Sequence, residues 1–194
     1  MQPQWHIIGV RITFQIVRDT MKELKEYIRN IPDFPEKGII FRDITSVLQD
    51  PDSLKLAIDE LEKKLEGLEF DVIAGAESRG FLFGMPLAYN LHKPFVPIRK
   101  KGKLPCETVE KTYDLEYGTA TIEIHKDAIK KGDRVVLLDD LIATGGTMKA
   151  AAELVEELGG EVVKALFLIE LTDLKGREVL GNYDVDSVVQ FEGA

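Results

Sequence analysis

Two adjacent carboxylates, Asp139 and Asp140, are separated by Leu141-Ile142-Ala143 from the turn Thr144-Gly145-Gly146-Thr147. Each residue type limits the chemistry. Gly145 and Gly146 let the backbone turn sharply and let a ligand approach the amides closely. Thr144 and Thr147 add hydroxyls. The N–H groups that open a following helix, aided by its dipole, favour an anion such as a monophosphate. Asp139 and Asp140 cannot hold that phosphate, because like charges repel. They suit neutral vicinal hydroxyls or a hydrated metal beside it. A phosphate site next to paired hydroxyl acceptors describes a ribose 5-phosphate site. The stretch has no Gly-Lys-Ser/Thr, so it is not a Walker loop for a nucleoside triphosphate, and it lacks the dinucleotide spacing G-x-G-x-x-G.

The flanking residues must position this loop. Val135-Val136-Leu137-Leu138 run directly into the acids. A continuous apolar run before a loop and a helix predicts a strand buried on both faces, as in a parallel sheet. Met148 to Leu158 predicts the helix, with Gly159-Gly160 as its stop. The loop therefore sits at the carboxyl end of a central strand, where open α/β sheets bind ligands. A second glycine-flanked turn, Gly75-Ala76-Glu77-Ser78-Arg79-Gly80-Phe81, follows a short strand over Phe70–Ala74. It falls on the same sheet edge, and its Arg79 offers a fork that matches phosphate oxygens. A third strand, Phe95–Arg99, ends in the basic run Arg99, Lys100, Lys101 and Lys103. Charge runs usually mark a solvated face. In an acidic chain and at a strand end, this run is also an anion collector.

The remaining elements are coarser. Ile7, Ile8, Val10, Ile12, Phe14 and Ile16 alternate in part, Arg11 interrupts them, and no small-residue cleavage site follows, which argues against a signal peptide. Met21–Asn30 predicts a helix that Pro32 ends. Pro32, Pro35 and Gly38 mark a fixed loop before a short apolar strand, in which Phe34 and Phe41, taken alone, read as core. Asp52 or Ser53 is a candidate cap for a helix reaching Glu66, with Leu54, Ile58, Leu61 and Leu65 on one face. Gly80–Leu91 is apolar nearly all round, as in a core or a subunit interface. Glu107–Ile124 reads as a long hairpin or flap. Val162–Glu170 is a further strand, and Val185–Phe191 a last one at a sheet edge.

Composition sets the outer bounds. The chain has 194 residues, 44% hydrophobic and 30% charged, which suits one soluble α/β domain with a sizeable core. A net charge of −9 argues against general nucleic-acid or membrane-surface binding. No apolar span suits a membrane helix. The single cysteine, Cys106, excludes an internal disulfide and fits a reducing cytosol. His6, His92 and His125 lack ligand spacing, so no histidine-bound metal is expected.

The stretch Asp139-Asp140-Leu141-Ile142-Ala143-Thr144-Gly145-Gly146-Thr147 closely resembles the phosphoribosyl pyrophosphate motif of the type I phosphoribosyltransferases, in the wording of their adenine-specific branch. Pro32–Thr45 resembles that branch's base-binding hood, and Tyr113-Asp114-Leu115-Glu116-Tyr117-Gly118 its flap. The resemblance runs from about Met21 to the C-terminus. It implies an α/β fold: a central, mostly parallel sheet flanked by helices, with a small hood and a β flap. Residues 21–194 would form that domain, and residues 1–20 an extension, with an added edge strand as the rival reading.

The resemblance also implies a function: AMP and diphosphate formed from adenine and 5-phosphoribosyl 1-pyrophosphate, in the cytoplasm, by a homodimer. Asp139 and Asp140 would hold the ribose hydroxyls, and Ala143, Thr144, Gly145, Gly146 and Thr147 the 5-phosphate. Ser78, Arg79, Lys100 and Lys103 would hold the pyrophosphate, with Mg²⁺ carried in by the substrate. Ile40, Phe41, Arg42 and Leu141 would border adenine, partly through backbone groups. Glu116 would handle the proton at purine N7. In related 6-oxopurine enzymes an aspartate does this work from the position that is Ala143 here. The family pattern further implies a cis peptide between Glu77 and Ser78. Cys106 departs from it, standing where relatives often carry a small residue. Two other readings stay open: a phosphoribosyltransferase for another nucleobase, and a non-catalytic sensor of phosphoribosyl pyrophosphate. The sensor would need a DNA-binding part, and no helix-turn-helix pattern is evident.

Overall fold

Alternate residues of one strand show how the molecule is layered. In Arg134–Ile142, Val135 and Leu137 point into one apolar core, and Val136 and Leu138 into another. All four are buried, so both faces of the strand are covered, as the unbroken apolar run predicts. The structure, a computed structural model, describes residues 23–114 and 118–193. The expected extension, residues 1–20, lies outside them.

Among the described residues, nine strands form two sheets. β1 (Arg29–Pro32) and β2 (Ile40–Asp43) make an antiparallel ribbon, the hood. The other seven are β3 (Val72–Ala76), β4 (Phe95–Lys100), β5 (Thr108–Asp114), β6 (Thr119–His125), β7 (Arg134–Ile142), β8 (Glu161–Leu171) and β9 (Val185–Phe191). They lie in the order β5-β6-β4-β3-β7-β8-β9. Strands β4, β3, β7, β8 and β9 are parallel, while the β5–β6 hairpin joins antiparallel beside β4. β3 and β7 are central, and β9 is an edge, as expected.

Helices α1 (Leu24–Tyr27), α2 (Thr45–Gln49), α3 (Pro51–Lys63) and α4 (Arg79–Asn90) pack on one face. α5 (Gly146–Glu157) and α6 (Gly176–Leu180) pack on the other. No helix among the described residues is long and apolar enough to cross a membrane.

Three local expectations change. The helix expected to reach Asn30 ends at Tyr27, because residues 29–32 pair with the hood strand instead. The cap of α3 is Asp50, whose carboxylate accepts the Ser53 N–H at 2.8 Å. Pro51 takes the first helical position, where its missing N–H costs nothing. In the hood, Phe34 is not core: it is 51% exposed and meets Phe41 edge-on with ring centroids 5.2 Å apart.

Candidate active site

The phosphate loop is built backbone against backbone. Gly145 has a φ of +83°, and a Cβ there would lie 2.6 Å from the Gly176 carbonyl oxygen. A Cβ on Gly176 would in turn lie 2.5 Å from the Ala143 oxygen. The start of α6 is therefore pressed onto the loop, a contact the sequence does not announce. α5 opens at Gly146, and its first N–H groups have no partner within the helix. They border a cavity of about 100 Å³ whose lining includes Asp139, Leu141, Ala143, Thr144, Gly145, Gly146 and Thr147. Leu141, expected beside the base, thus borders this cavity. The Thr147 hydroxyl donates to the Tyr113 hydroxyl at 3.0 Å, which joins the root of the flap to the loop. Lys111 and Glu153 pair at 2.6 Å one step further along the same two elements.

The acid pair is largely withdrawn from water, which the sequence reading does not anticipate. Asp140 is 3% exposed and Asp139 half-buried. The Asp140 N–H donates to Asp139 Oδ1 at 2.9 Å. Burial pushes the Asp139 carboxyl well above the usual carboxylate range, and the neighbouring Asp140 charge adds to the shift. Burial raises Asp140 as well, against the pull of Arg79. The two carboxyls titrate as a pair. A Cβ on Gly80 would lie 3.0 Å from Asp139 Oδ1 and 2.8 Å from the Leu138 oxygen. The start of α4 is therefore seated on the strand that carries the acids.

Arg79 links three parts of the site. Its Nε lies 3.1 Å from Asp140 Oδ2, and its guanidinium 5.8 Å from the Phe41 ring centroid. The Arg79–Asp140 approach is an ion pair without hydrogen-bond alignment, so the buried Oδ2 retains an unused lone pair. One side chain thus touches the acid pair, the hood and the glycine-flanked loop from which it springs.

That loop is fixed by acids that sequence reasoning passed over. The Glu77–Ser78 peptide is cis. The Glu77 carboxylate accepts both Nε and Nη2 of Arg99 at 3.2 Å and the Lys100 N–H at 2.9 Å. Burial opposes its charge, yet the Arg99 and Lys100 hydrogen bonds hold it below the ordinary glutamate value. Glu123, 3% exposed on β6, accepts the N–H groups of Lys103 and Leu104 at 2.8 and 2.7 Å. The side chains of Lys100 and Lys103 are exposed beyond these anchors. The available signal was an acidic residue inside an otherwise apolar strand or glycine-rich turn.

In the hood, Ile40 and Phe41 are half-buried and Arg42 is buried. The Arg42 guanidinium engages Asn30 and the C-terminal segment, while its backbone lies in register with Asn30 in the hood ribbon. Glu116, expected in catalysis, lies outside the described residues.

Residues 43–192 match the family model of the phosphoribosyl transferase domain. Over 173 residues the chain is 76% identical to the adenine phosphoribosyltransferase of Agathobacter rectalis, covering 89% of this chain and 99% of that one. The crystal structure of adenine phosphoribosyltransferase from Thermoanaerobacter pseudethanolicus shares the fold with a TM-score of 0.85 and 58% identity, covering 87% of this chain and 98% of the other. The Saccharomyces cerevisiae enzyme, solved with adenine and D-2,5-dideoxy-2,5-imino-altritol 1,6-bisphosphate, gives 0.81 and 44% identity over 85% and 96% of the two chains. A phosphate loop and acid pair on a central strand, in a chain that matches a 76% identical enzyme nearly end to end, place it in the adenine phosphoribosyltransferase family of type I phosphoribosyltransferases.

Proposed function

We propose that the chain forms AMP and diphosphate from adenine and 5-phosphoribosyl 1-pyrophosphate, with the residue roles that follow. The observation that carries these roles is Arg79 in contact with both Asp140 and the Phe41 ring, because it brings the sugar, leaving-group and base sides into one site. Adenine N9 attacks C1′ as the C1′–O bond to diphosphate breaks with inversion; the electron pair leaves with diphosphate and the purine proton is lost. Loop 143–147 anchors the 5-phosphate, so binding energy remote from the reaction orients C1′. Asp139 and Asp140 accept from the ribose hydroxyls. Burial disfavours their charge when the site is empty. Positive charge growing on the sugar favours it, so the pair acts more strongly in the transition state than before it.

Arg79, Lys100 and Lys103 offset the charge of the departing diphosphate, and Ser78 contacts it through the same loop. Ile40, Phe41, Arg42 and Leu141 border adenine. Glu116 shares the proton at N7. The diphosphate would carry Mg²⁺ into the site, where the ion would supply further charge neutralisation beside Arg79, Lys100 and Lys103. No group of three or more carboxylate, histidine or cysteine side chains among the described residues could hold the ion, so the diphosphate itself would supply ligands for it.

The protein acts in the cytoplasm as a homodimer in this reading. The support for the dimer is α4, which buries Phe83 and Leu87 but exposes Leu82, Met85 and Tyr89 on its other side, Tyr89 at 84%. Light scattering on purified protein measures the state directly.

The function itself is tested by offering adenine, hypoxanthine, guanine and xanthine separately with phosphoribosyl pyrophosphate and Mg²⁺, and resolving the nucleotides by chromatography. AMP from adenine alone is the expected result. IMP, GMP or XMP would overturn the base assignment, and no nucleotide from any base would bring the sensor reading forward.

A further inference from the structure

The hood is a two-stranded ribbon, and a ribbon of that size is marginal unless something packs against it. What holds it here is Arg42, which is 7% exposed. Its Nη1 donates to Asn30 Oδ1 on the facing strand at 2.7 Å. Its Nη2 donates to the Gly193 carbonyl at 2.9 Å, with the Glu192 carbonyl at 3.5 Å. Its guanidinium carbon lies 4.3 Å from the centre of the Phe191 ring. The remaining nitrogen, Nε, is buried with no hydrogen-bond partner. A buried guanidinium with one donor unmet is costly, so the contacts it does make must offset that cost.

The segment that Arg42 grips is itself tied down. The Gly193 N–H donates to Asp173 Oδ2 at 2.7 Å, and the Thr172 hydroxyl to the Phe191 carbonyl at 3.2 Å. Lys25 donates to the Gln190 carbonyl at 2.7 Å and places its ammonium 4.7 Å from the same Phe191 ring. The C-terminal residues therefore connect the hood to the end of β8, on the main sheet.

We infer that Arg42 is a positioning residue for base recognition: it clamps the base-bordering backbone of β2 to residues 191–193, so the C-terminus is a working part of the base site. This rests on the reading that Ile40–Arg42 border adenine. The planar fork is what the job requires. It bonds on two sides while stacking on a ring, which a lysine ammonium cannot do from one position. The sugar and phosphate end of the site rests on β7 and α5 and gains nothing from the clamp.

The test is steady-state kinetics in both substrates for Arg42→Lys, Phe191→Leu and a control, Phe41→Ala, each checked for an unchanged melting temperature. Arg42→Lys should raise KM for adenine about tenfold, the scale of one lost charge-assisted hydrogen bond. KM for phosphoribosyl pyrophosphate should stay within about twofold. Phe191→Leu should give a smaller shift of the same kind, and combining the two should give less than the product of the separate effects, because both act through one clamp. If Phe41→Ala raises KM for adenine while Arg42→Lys does not, the clamp is overturned and the hood reading stands. If neither moves it, the hood reading fails and the clamp with it. An equal rise in both KM values for Arg42→Lys, or an additive pair, would also overturn the proposal, since it marks a general structural role.

Discussion

The phosphate loop and the base hood serve one site but are held in place by different forces. The loop is fixed by backbone. Gly145 and Gly176 press carbonyls to within 2.6 and 2.5 Å of where a side chain would begin, so neither position tolerates one. The hood is fixed by side chains. Arg42 reaches Asn30, Phe191 and Gly193, and Ser46 accepts the Arg29 N–H at 3.2 Å while donating to the Tyr27 carbonyl at 2.6 Å. A phosphate has one shape and one charge, and a rigid shell of amides suits it. A base is recognised by its edge, and a ribbon docked through side chains presents that edge from a separate support. Changes on the two sides should therefore separate in the kinetics.

The largest effect should come from where the two regions meet, at the acid pair. Asp139→Asn combined with Asp140→Asn should lower kcat/KM on the order of a thousandfold, as loss of preorganised electrostatic contacts does. Unchanged kinetics would remove the pair from the ribose. The same variant should be more stable without ligand. Both carboxyls are raised by burial, so the folded protein holds their protons to higher pH than the unfolded chain does. Stability then falls as pH rises from the ordinary carboxylate range through the raised values. The melting temperature of the double variant should exceed that of the parent at neutral pH, and the gap should close as pH falls. A lower melting temperature at neutral pH would contradict the burial argument.

Glu116→Ala comes next. It should lower kcat about a hundredfold with little change in KM, as loss of a general acid or base does. Equal turnover would take Glu116 out of the reaction. Gly145→Ala probes the loop alone. A Cβ placed against the Gly176 carbonyl at positive φ should raise KM for phosphoribosyl pyrophosphate more than about tenfold and leave KM for adenine near the parent value. Tyr113→Phe should have the smallest effect, about two- to fivefold on KM for phosphoribosyl pyrophosphate, because it removes one hydroxyl contact to Thr147. A shift confined to adenine in that variant would place Tyr113 on the wrong side of the comparison.

The two regions were also unequally legible in the sequence. The phosphate loop is contiguous. Strand, acids, glycines and helix follow one another from Val135 to Leu158, so local rules place them, and the central position of β7 follows from its unbroken apolar run. Arg79 stands out through the same kind of local motif, whereas the cis bond at Glu77–Ser78 is implied only by the family resemblance. The supports were not legible, because their partners are remote in sequence. Gly176 meets Gly145 across 31 positions, Glu123 meets Lys103 across 20, and Arg42 meets Gly193 across 151. Nothing local to Gly176 marks it as a support for a loop, and the local cue to Glu123, an acid inside an apolar strand, does not say which loop it holds. The helix expected through Asn30 failed for a related reason: pairing of Arg29 and Asn30 with Asp43 and Arg42 of β2 overrode the local pattern.

The claim that backbone holds the sugar-phosphate end and side chains hold the base end is tested most directly by measuring both KM values in Gly145→Ala and Arg42→Lys side by side. The account predicts a crossed result: Gly145→Ala raises KM for phosphoribosyl pyrophosphate alone, and Arg42→Lys raises KM for adenine alone. Parallel rises in both KM values in both variants would show that the loop and the hood act as one unit, and would contradict it.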